Sequence, residues 1–148
     1  MKISTKGRYG LRILIDLARH DNSKPRLIRD IARTQQISEK YISRLVIALR
    51  RAGLIRSVRG VNGGFHLAKL PAEITLLEIL EVMEGPVAIV ECVSETPKCG
   101  RHSHCGAHTI WQQLNDNLRS MMSAITLEEI LNAYSDRNSD DPFSDYCI

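Results

Sequence analysis

The sequence predicts a mainly α-helical chain with one small hairpin of two β-strands, on three observations. Apolar residues recur at helical spacing through most of the 148 residues. Asn62-Gly63-Gly64 separates two short segments of alternating apolar and polar residues, as in a tight hairpin turn. Beyond residue 110, apolar residues step by three and four positions, as in helices that pair with another helix. With 43% apolar and 25% charged residues, the chain is expected to form one globular domain or one domain plus a small appendage.

The first half of the chain predicts three successive helices. The first lies within residues 2–20, and Lys24-Pro25 interrupts the pattern after it. A short second helix follows from Ile28 to about residue 36, and Ser38 is expected to cap a third helix that stops at Gly53. Two short helices of this kind, the second of them basic, are typical of a helix-turn-helix, whose second helix enters the major groove of DNA.

The predicted hairpin follows this helix-turn-helix directly. Residues 54–59 and 65–67 are the expected strands, joined by the glycine-containing turn. A helix-turn-helix followed by such a hairpin is a winged helix-turn-helix with a two-stranded wing. Arg56 and Arg59 flank the wing, where a guanidinium can enter the narrow minor groove of A·T-rich DNA.

The net charge of +3 conceals a strong asymmetry along the chain. Residues 1–70 contain 16 Lys and Arg against 4 Asp and Glu, whereas residues 71–148 contain 4 against 13. A first half with a charge of +12 suits a polyanion, because each phosphate that a basic side chain neutralises releases a condensed counterion. The alternative is a merely solvated charged face, and the helix-turn-helix and the wing together favour DNA.

The second half predicts three more helices. Residues 75–84 form a short acidic helix closed by Gly85-Pro86. Thr126 is expected to cap a last helix at residues 127–134, and residues 135–148 form a flexible acidic tail. Between them lies a long helix with an apolar seam at heptad spacing, which predicts a dimer interface: Trp111, Leu114, Leu118, Met121 and Ile125.

Three cysteines and three histidines lie within 17 residues, from Cys92 to His108. Disulfides do not suit a cytoplasmic chain, where thiols are kept reduced. Three thiolates and an imidazole satisfy a zinc ion, although gaps of six and five residues between the cysteines are wider than usual. An iron-sulfur cluster is held mainly by thiolates and suits a loose loop with wide gaps. The residues alone leave zinc and iron-sulfur open.

Two motifs resemble a known family of bacterial transcription factors. They are Met-Lys-Ile-Ser-Thr-Lys-Gly-Arg-Tyr at residues 1–9 and Val-Arg-Gly-Val-Asn-Gly-Gly-Phe at residues 58–65. Both resemble the IscR, NsrR and CymR regulators, the Rrf2 family, over roughly residues 1–133. The resemblance implies a homodimer that binds near-palindromic operators. Residues 1–70 would be the DNA-binding domain, residues 71–134 the linker helix, cysteine loop and dimerisation helix, and residues 135–148 the tail.

The resemblance also adds to the residues expected to contact DNA. It implies base or phosphate contacts from the third helix and a minor-groove contact from Arg59. With the cations at the start of the first helix and in the wing, the DNA-binding candidates are Lys6, Arg8, Ser38, Glu39, Lys40, Tyr41, Ser43, Arg44, Arg56, Arg59, Asn62 and Gly63.

The same resemblance implies the ligands of a metal cofactor. Ala-His-Thr-Ile-Trp at residues 107–111 is similar to the sequence motif that follows the cysteines in the IscR type. This implies a [2Fe-2S] cluster on three cysteines and one histidine, Cys92, Cys99, Cys105 and His108. One extra residue between the first two cysteines keeps His102 and His104 as possible substitutes. In the nitric-oxide-sensing branch an acidic residue of the first helix completes a [4Fe-4S] site, but Arg8 stands at that position here, which favours the IscR type. The alternatives to [2Fe-2S] are [4Fe-4S] and zinc.

A second interpretation comes from CymR-like repressors of cysteine and sulfur metabolism, whose N-terminus is closely similar but which lack the cysteine loop. Such repressors end in Tyr-Ile and form a complex with cysteine synthase. This chain ends Tyr-Cys-Ile, and we hypothesise that Ile148 binds cysteine synthase in the same way. From another class, the chain could be an iron-sulfur electron carrier, against which the wing argues.

Two further classes are disfavoured by the sequence. No segment approaches the ~18 uncharged apolar residues of a membrane helix. The early apolar run contains Arg12 and Asp16 and lacks a cleavage site, so a cytoplasmic protein is expected. Asp16 and Asp30 lie on predicted helices without a base partner, so the chain is not expected to be an enzyme.

Overall fold

A computed structural model describes residues 2–20, 24–60, 63–96, 99–101 and 104–138. Residues 135–138 are described by their backbone alone. Within these ranges the predicted mainly α-helical fold with a two-stranded antiparallel sheet is confirmed. No helix there is long and apolar enough to cross a bilayer. The elements are α1 (Thr5–Arg19), α2 (Ile28–Gln35), α3 (Glu39–Arg51), β1 (Ile55–Val58), β2 (Gly64–Leu67), α4 (Leu76–Glu84), α5 (Gly106–Ala124) and α6 (Leu127–Asn138), with 3-10 turns at Pro71–Glu73 and Glu91–Val93.

Side chains cap the helices at the predicted positions. The Ser38 hydroxyl accepts a hydrogen bond from the Tyr41 amide at 3.3 Å at the start of α3. Thr126 caps α6, where its hydroxyl accepts from the Glu129 amide at 3.2 Å. α6 continues to Asn138, four residues into the expected tail, and residues 139–148 lie outside the described ranges. The Arg19 guanidinium stacks 4.5 Å from the Tyr134 ring centroid, which ties this longer helix to α1.

One hydrophobic core joins the first three helices to α4 and α6. Ile74, Ile79 and Leu127 are buried in the same cluster as the apolar faces of α1, α2 and α3. Thr75 and Thr126 form an antiparallel bridge that holds the starts of α4 and α6 side by side. The hydrophobic core therefore continues across residue 70, the expected end of the DNA-binding domain. The division of DNA binding and cofactor binding at that residue stays a prediction.

Two glycines of α1 allow α4 to approach closely. A Cβ on Gly10 would lie 2.6 Å from Cγ of Met83, and a Cβ on Gly7 would lie 2.7 Å from Oε1 of Glu84. Glu84 uses this proximity to accept hydrogen bonds from the Ser4 hydroxyl at 2.6 Å and the Gly7 amide at 2.9 Å. The bond from Ser4 is the largest influence and holds the pKa of Glu84 below its usual range. The last residue of α4 thus binds the N-terminus of α1, where a negative charge is favoured.

Substitution Gly10→Ala is expected to lower the free energy of unfolding by about 1–3 kcal/mol, because the added methyl overlaps Met83. This loss outweighs the gain in helix propensity of up to ~1 kcal/mol. Urea unfolding at fixed protein concentration measures the effect. Gly106→Ala is the control, because a Cβ there meets nothing within 4 Å. Equal stability of the two variants would contradict the close packing of α4 on α1.

The wing is attached to the helix-turn-helix by its backbone. β1 and β2 pair antiparallel, with Val58 opposite Gly64. On the other side of β2, Arg26 and Phe65 exchange two backbone hydrogen bonds of 2.9 Å. A Cβ on Gly64 would lie 2.6 Å from the Arg26 carbonyl oxygen, so only glycine allows this approach. The wing is therefore held against the chain that leads into α2.

Candidate nucleic-acid interface and cysteine loop

The outward face of α3 is polar and strongly basic. Glu39, Lys40, Arg44, Arg50 and Arg51 are exposed, while the apolar face of the helix is buried in the core. Lys40 and Arg44 lie one turn apart on the same face. In the described part of the chain neither of them takes part in an ion pair. An exposed guanidinium can donate two hydrogen bonds to a guanine edge, so this face suits the major groove.

Three other predicted contacts on α3 interact within the protein. The Ser38 hydroxyl is occupied as the N-cap of α3, and the Ser43 hydroxyl donates to the Glu39 carbonyl at 2.7 Å. Tyr41 is half-buried, and its ring lies edge-on to Tyr9 with 5.8 Å between centroids. Of the contacts predicted on α3, Lys40 and Arg44 are therefore the two that offer an exposed positive charge to DNA.

Arg12 links α1 to the turn of the helix-turn-helix. Its Nε donates to Oε1 of Gln35 at 3.1 Å, and its terminal nitrogen donates to the Gln35 carbonyl. The same guanidinium lies 5.3 Å from the Tyr9 ring centroid. Gln36 follows with a φ of 53°, a left-handed conformation that ends α2. Arg12 thus fixes the C-terminus of α2 and the tyrosine pair that supports α3.

A buried polar network lies beneath the helix-turn-helix. Asp16 and Arg26 are 6% and 8% exposed, and Nε of Arg26 donates to Oδ2 of Asp16 at 2.9 Å. Oδ1 of Asp16 accepts from the Thr34 hydroxyl at 2.6 Å and from Nε2 of Gln35 at 3.2 Å. Burial by itself raises the pKa of Asp16, but these hydrogen bonds and the Arg26 charge outweigh it and leave the pKa below its usual range. The network fastens α1 to both ends of α2.

The remaining predicted DNA contacts lie on the wing and at the start of α1. Arg56 and Arg59 are exposed, as are Lys6 and Arg8. Gly63 is buried, and a Cβ there would lie 2.4 Å from the Val58 carbonyl oxygen, so its role is to close the turn. Asn62 lies outside the described residues.

The predicted metal ligands lie on two packed elements and the loop between them. Cys92 is half-buried in the 3-10 turn Glu91–Val93, which packs against α5. Cys105 is exposed at the N-cap of α5, and half-buried His108 lies three residues later. Cys99 is exposed, and of the two possible substitutes His104 is exposed and His102 lies outside the described residues. Within the described ranges, no three His, Cys, Asp or Glu side chains form a group that could hold a metal ion.

Two contacts anchor the segment that precedes Cys92. Asn115, 3% exposed on α5, accepts a hydrogen bond from the Ile89 amide at 3.1 Å. Glu81 on α4 forms an ion pair with Arg119 on α5 and accepts from the Val87 amide at 3.3 Å. His108 and Asn115 are seven residues apart and therefore lie on the same face of α5, about 10 Å apart along the axis. The cysteine loop thus begins and ends on one face of α5.

Large apolar side chains are exposed along another face of α5. Of the predicted seam, Trp111, Leu114 and Met121 are 40%, 48% and 56% exposed. Leu118 is half-buried and packs instead against the cluster of Leu80, Val87 and Met122. Ile125 is half-buried, and Ile110, which the seam omitted, is 54% exposed. An open groove between α5 and α6 continues this face, and it is lined by Met121, Ala124, Ile125, Glu129, Ile130 and Ala133.

The residues that support these sites were not predicted from the sequence. Asp16 was noted for its lack of a base partner, whereas its partner is Arg26, beyond the break at Lys24-Pro25. Asn115 is a polar residue that is only 3% exposed on α5. It could have been recognised by its place on the α5 face that also holds Leu118 and Met122.

Comparison with known proteins places the chain in a family of regulators. A family profile described as Rrf2, iron-dependent transcriptional regulator, matches residues 3–133. The chain is 40% identical to the transcriptional regulator CymR of Bacillus subtilis over 136 residues, which cover 92% of this chain and 93% of CymR. It is 34% identical to IscR of Photorhabdus laumondii over 132 residues, 89% of this chain and 80% of that protein.

Solved structures agree with these sequence matches. The structure of B. subtilis CymR, described as the global cysteine regulator, has a TM-score of 0.73 and 36% identity and covers 90% of this chain and 98% of that one. The structure of T. potens IscR has a TM-score of 0.75 and 30% identity and covers 99% of this chain and 97% of that one.

Proposed function

The chain belongs to the Rrf2 family of transcriptional regulators, and on that premise we propose that an iron-sulfur cluster controls its affinity for a near-palindromic operator. The family relatives are DNA-binding regulators and not enzymes, and the chain shares this function. The observation that carries the proposal is that the turn with Cys92 packs against α5, the helix that carries Cys105 and His108 at its start. DNA binding also implies that the protein acts in the bacterial cytoplasm.

We assign separate functions to three parts of the chain. Residues 1–70 bind DNA with the outward face of α3, the wing and the start of α1. Residues 71–134 carry the cluster and form the homodimer. We assign the acidic residues 135–148 no part in DNA binding. The charges of +12 on residues 1–70 and −9 on the remainder support this division.

The donor set fits a cluster by its chemistry. Three thiols and one imidazole are the ligand types that iron-sulfur sites use. Cys105 lies at the N-cap of α5, three residues before His108 on the same helix. The described side chains are not gathered into a site, so ligation requires the candidate ligands to move closer together. When bound, the cluster supplies sensitivity to iron, redox state or reactive gases, and we assign it as [2Fe-2S], with [4Fe-4S] as the alternative.

The exposed apolar face of α5 supports a homodimer. Trp111, Leu114 and Met121, with Ile110 beside them, present a contiguous apolar stripe along about three turns. Apolar stripes of this size on a soluble domain mark an interaction surface. A two-fold dimer places two recognition helices about one DNA turn (~34 Å) apart, as a near-palindromic operator requires.

The chain offers a continuous route from the cysteine loop to the DNA-binding helices. Ordering of residues 92–108 fixes the turn that carries Cys92, and Asn115 and Val87 hold that segment against α5 and α4. Glu84 at the end of α4 in turn binds the N-terminus of α1. A coupling of about 1–3 kcal/mol along such a route changes operator affinity about 5- to 150-fold.

Removal of one ligand tests the cluster. Cys92→Ala, purified without oxygen, is expected to be colourless, with less than one iron and sulfide per chain, and still dimeric by sedimentation. The wild type and Cys147→Ala are expected to show a visible charge-transfer spectrum with matching iron and sulfide contents, because Cys147 lies outside the loop. A spectrum that survives in Cys92→Ala would refute the ligand assignment.

A second candidate is a repressor of cysteine metabolism that acts without a cluster. The 40% identity to CymR over almost the whole chain favours it, since the identity to IscR is 34%. In this interpretation the loop holds zinc or nothing, and Ile148, outside the described residues, binds cysteine synthase. Iron, sulfide and zinc analysis of the anaerobic wild type separates the two candidates in one measurement.

A further inference from the structure

One apolar side chain of α3 is exposed on the basic face of the helix. Ile47 is 43% exposed, whereas the other large aliphatic side chains of α3 are at most 4% exposed: Ile42, Leu45, Val46 and Leu49. The exposed part of Ile47 is available to whatever α3 contacts, and its surroundings indicate what that is.

Positive charges surround this side chain. Lys40, Arg44 and Arg51 lie seven and three residues before Ile47 and four residues after it, so helical spacing places all three on its face. All three cations are exposed. Such a setting repels a basic protein partner and attracts a polyanion. If the cations bind the phosphates on either side of a DNA groove, Ile47 faces the base edges between them.

We propose that Ile47 is a specificity residue that reads the C5-methyl group of a pyrimidine in the major groove. The inference rests on the DNA-binding role of α3. Thymine displays this methyl in the major groove, where apolar side chains recognise it. Ile47 follows Arg44 by about 4.5 Å along the helix axis, between one and two base steps of ~3.4 Å, so the methyl lies within one or two base pairs of the Arg44 contact. 5-Methylcytosine presents the same group, and the experiment distinguishes the two sources.

The test uses the full-length protein and a random duplex library. Sequences are enriched by the wild type, and the enriched duplex is resynthesised with deoxyuridine in place of each thymine in turn, and with 5-methylcytosine in place of each cytosine. At one thymine per half-site, loss of the methyl is expected to weaken wild-type binding about fourfold, the effect of one buried methyl group. Ile47→Ala is expected to bind the thymine duplex about fourfold less tightly and to respond equally to thymine and uracil there.

Controls separate this effect from a general loss of binding. Ile47→Val keeps an apolar branch and should keep the methyl preference, and Leu70→Ala removes a 67% exposed side chain outside α3 and should behave as the wild type. A gain only with 5-methylcytosine would assign the reading to that base. An Ile47→Ala variant with the wild-type response to uracil would overturn the inference but leave DNA binding intact. Failure of the wild type to enrich any sequence would overturn both.

Discussion

Replacing Asp16 by asparagine is expected to lower the free energy of unfolding by about 3–5 kcal/mol, because it leaves the charge of Arg26 buried without its partner. Asparagine keeps the shape of the side chain, so the loss reports the charge and its hydrogen bonds rather than a cavity. For a domain of this size a change of that magnitude is a large part of the total stability. Chemical unfolding at fixed protein concentration measures it, since a dimer's stability depends on concentration.

The matched control is another Asp–Arg pair of the same chain. Asp30 and Arg33 lie 3.5 Å apart, but the Arg33 side chain is 80% exposed. Asp30→Asn is therefore expected to cost no more than about 1 kcal/mol. Similar losses for the two variants would contradict the assignment of the Asp16 network as the buried pair that fixes α1 on α2.

The same network predicts how stability changes with pH. The pKa of Asp16 is lower in the folded chain than its ordinary value, so the folded state binds fewer protons than the unfolded state as acid is added. Its contribution is complete above about pH 4 and is lost as the pH falls through the lowered value. The wild type should therefore lose stability below about pH 4 more steeply than Asp16→Asn.

Local signals in the sequence predicted most of the fold. Ser38 and Thr126 cap the helices that were assigned to them, and the two strands predicted on either side of the Asn-Gly-Gly sequence pair antiparallel. Each of these signals depends on residues within a few positions of one another, where backbone and side-chain chemistry decide the outcome.

Contacts between distant residues could not be predicted in the same way. Glu84 binds the N-terminus of α1 across nearly eighty residues, and nothing near Gly7 or Glu84 in the sequence points to the other. The seam on α5 was ambiguous for a different reason. Leu118 fits the spacing of a dimer interface but packs within its own chain. A period of three and four residues does not show whether a helix face packs on a second chain or on another helix of the same chain.

The cysteine loop shows the same limit more strongly. The spacing of its cysteines and histidines predicted a metal site. The structure places Cys92 in a turn that packs against α5 and Cys105 at the N-cap of that helix. The packing that would make the site respond to its ligand depends on Asn115, whose hydrogen bond to Ile89 spans 26 residues. Metal binding would couple to that packing because ligation orders the loop.

DNA binding by this chain is expected to weaken about 10³- to 10⁵-fold between 50 and 200 mM salt, since six to ten phosphate contacts release their counterions. The exposed cations of α1, α3 and the wing supply such a number of contacts. Titration of the duplex enriched from a random pool, at several salt concentrations, measures the slope.

Two variants of α3 divide this binding into phosphate and base contacts. Lys40→Ala is expected to weaken binding to all duplexes alike and to reduce the salt slope by about one unit, as loss of one phosphate contact does. Arg44→Ala is expected to cost about 1–3 kcal/mol on the enriched duplex and less on an unrelated one, because a bidentate contact to guanine carries sequence information. Lys69→Ala is the control, since Lys69 is already paired with Glu78 at 2.6 Å. Wild-type affinity in both α3 variants, or binding that does not respond to salt, would remove the outward face of α3 from the interface.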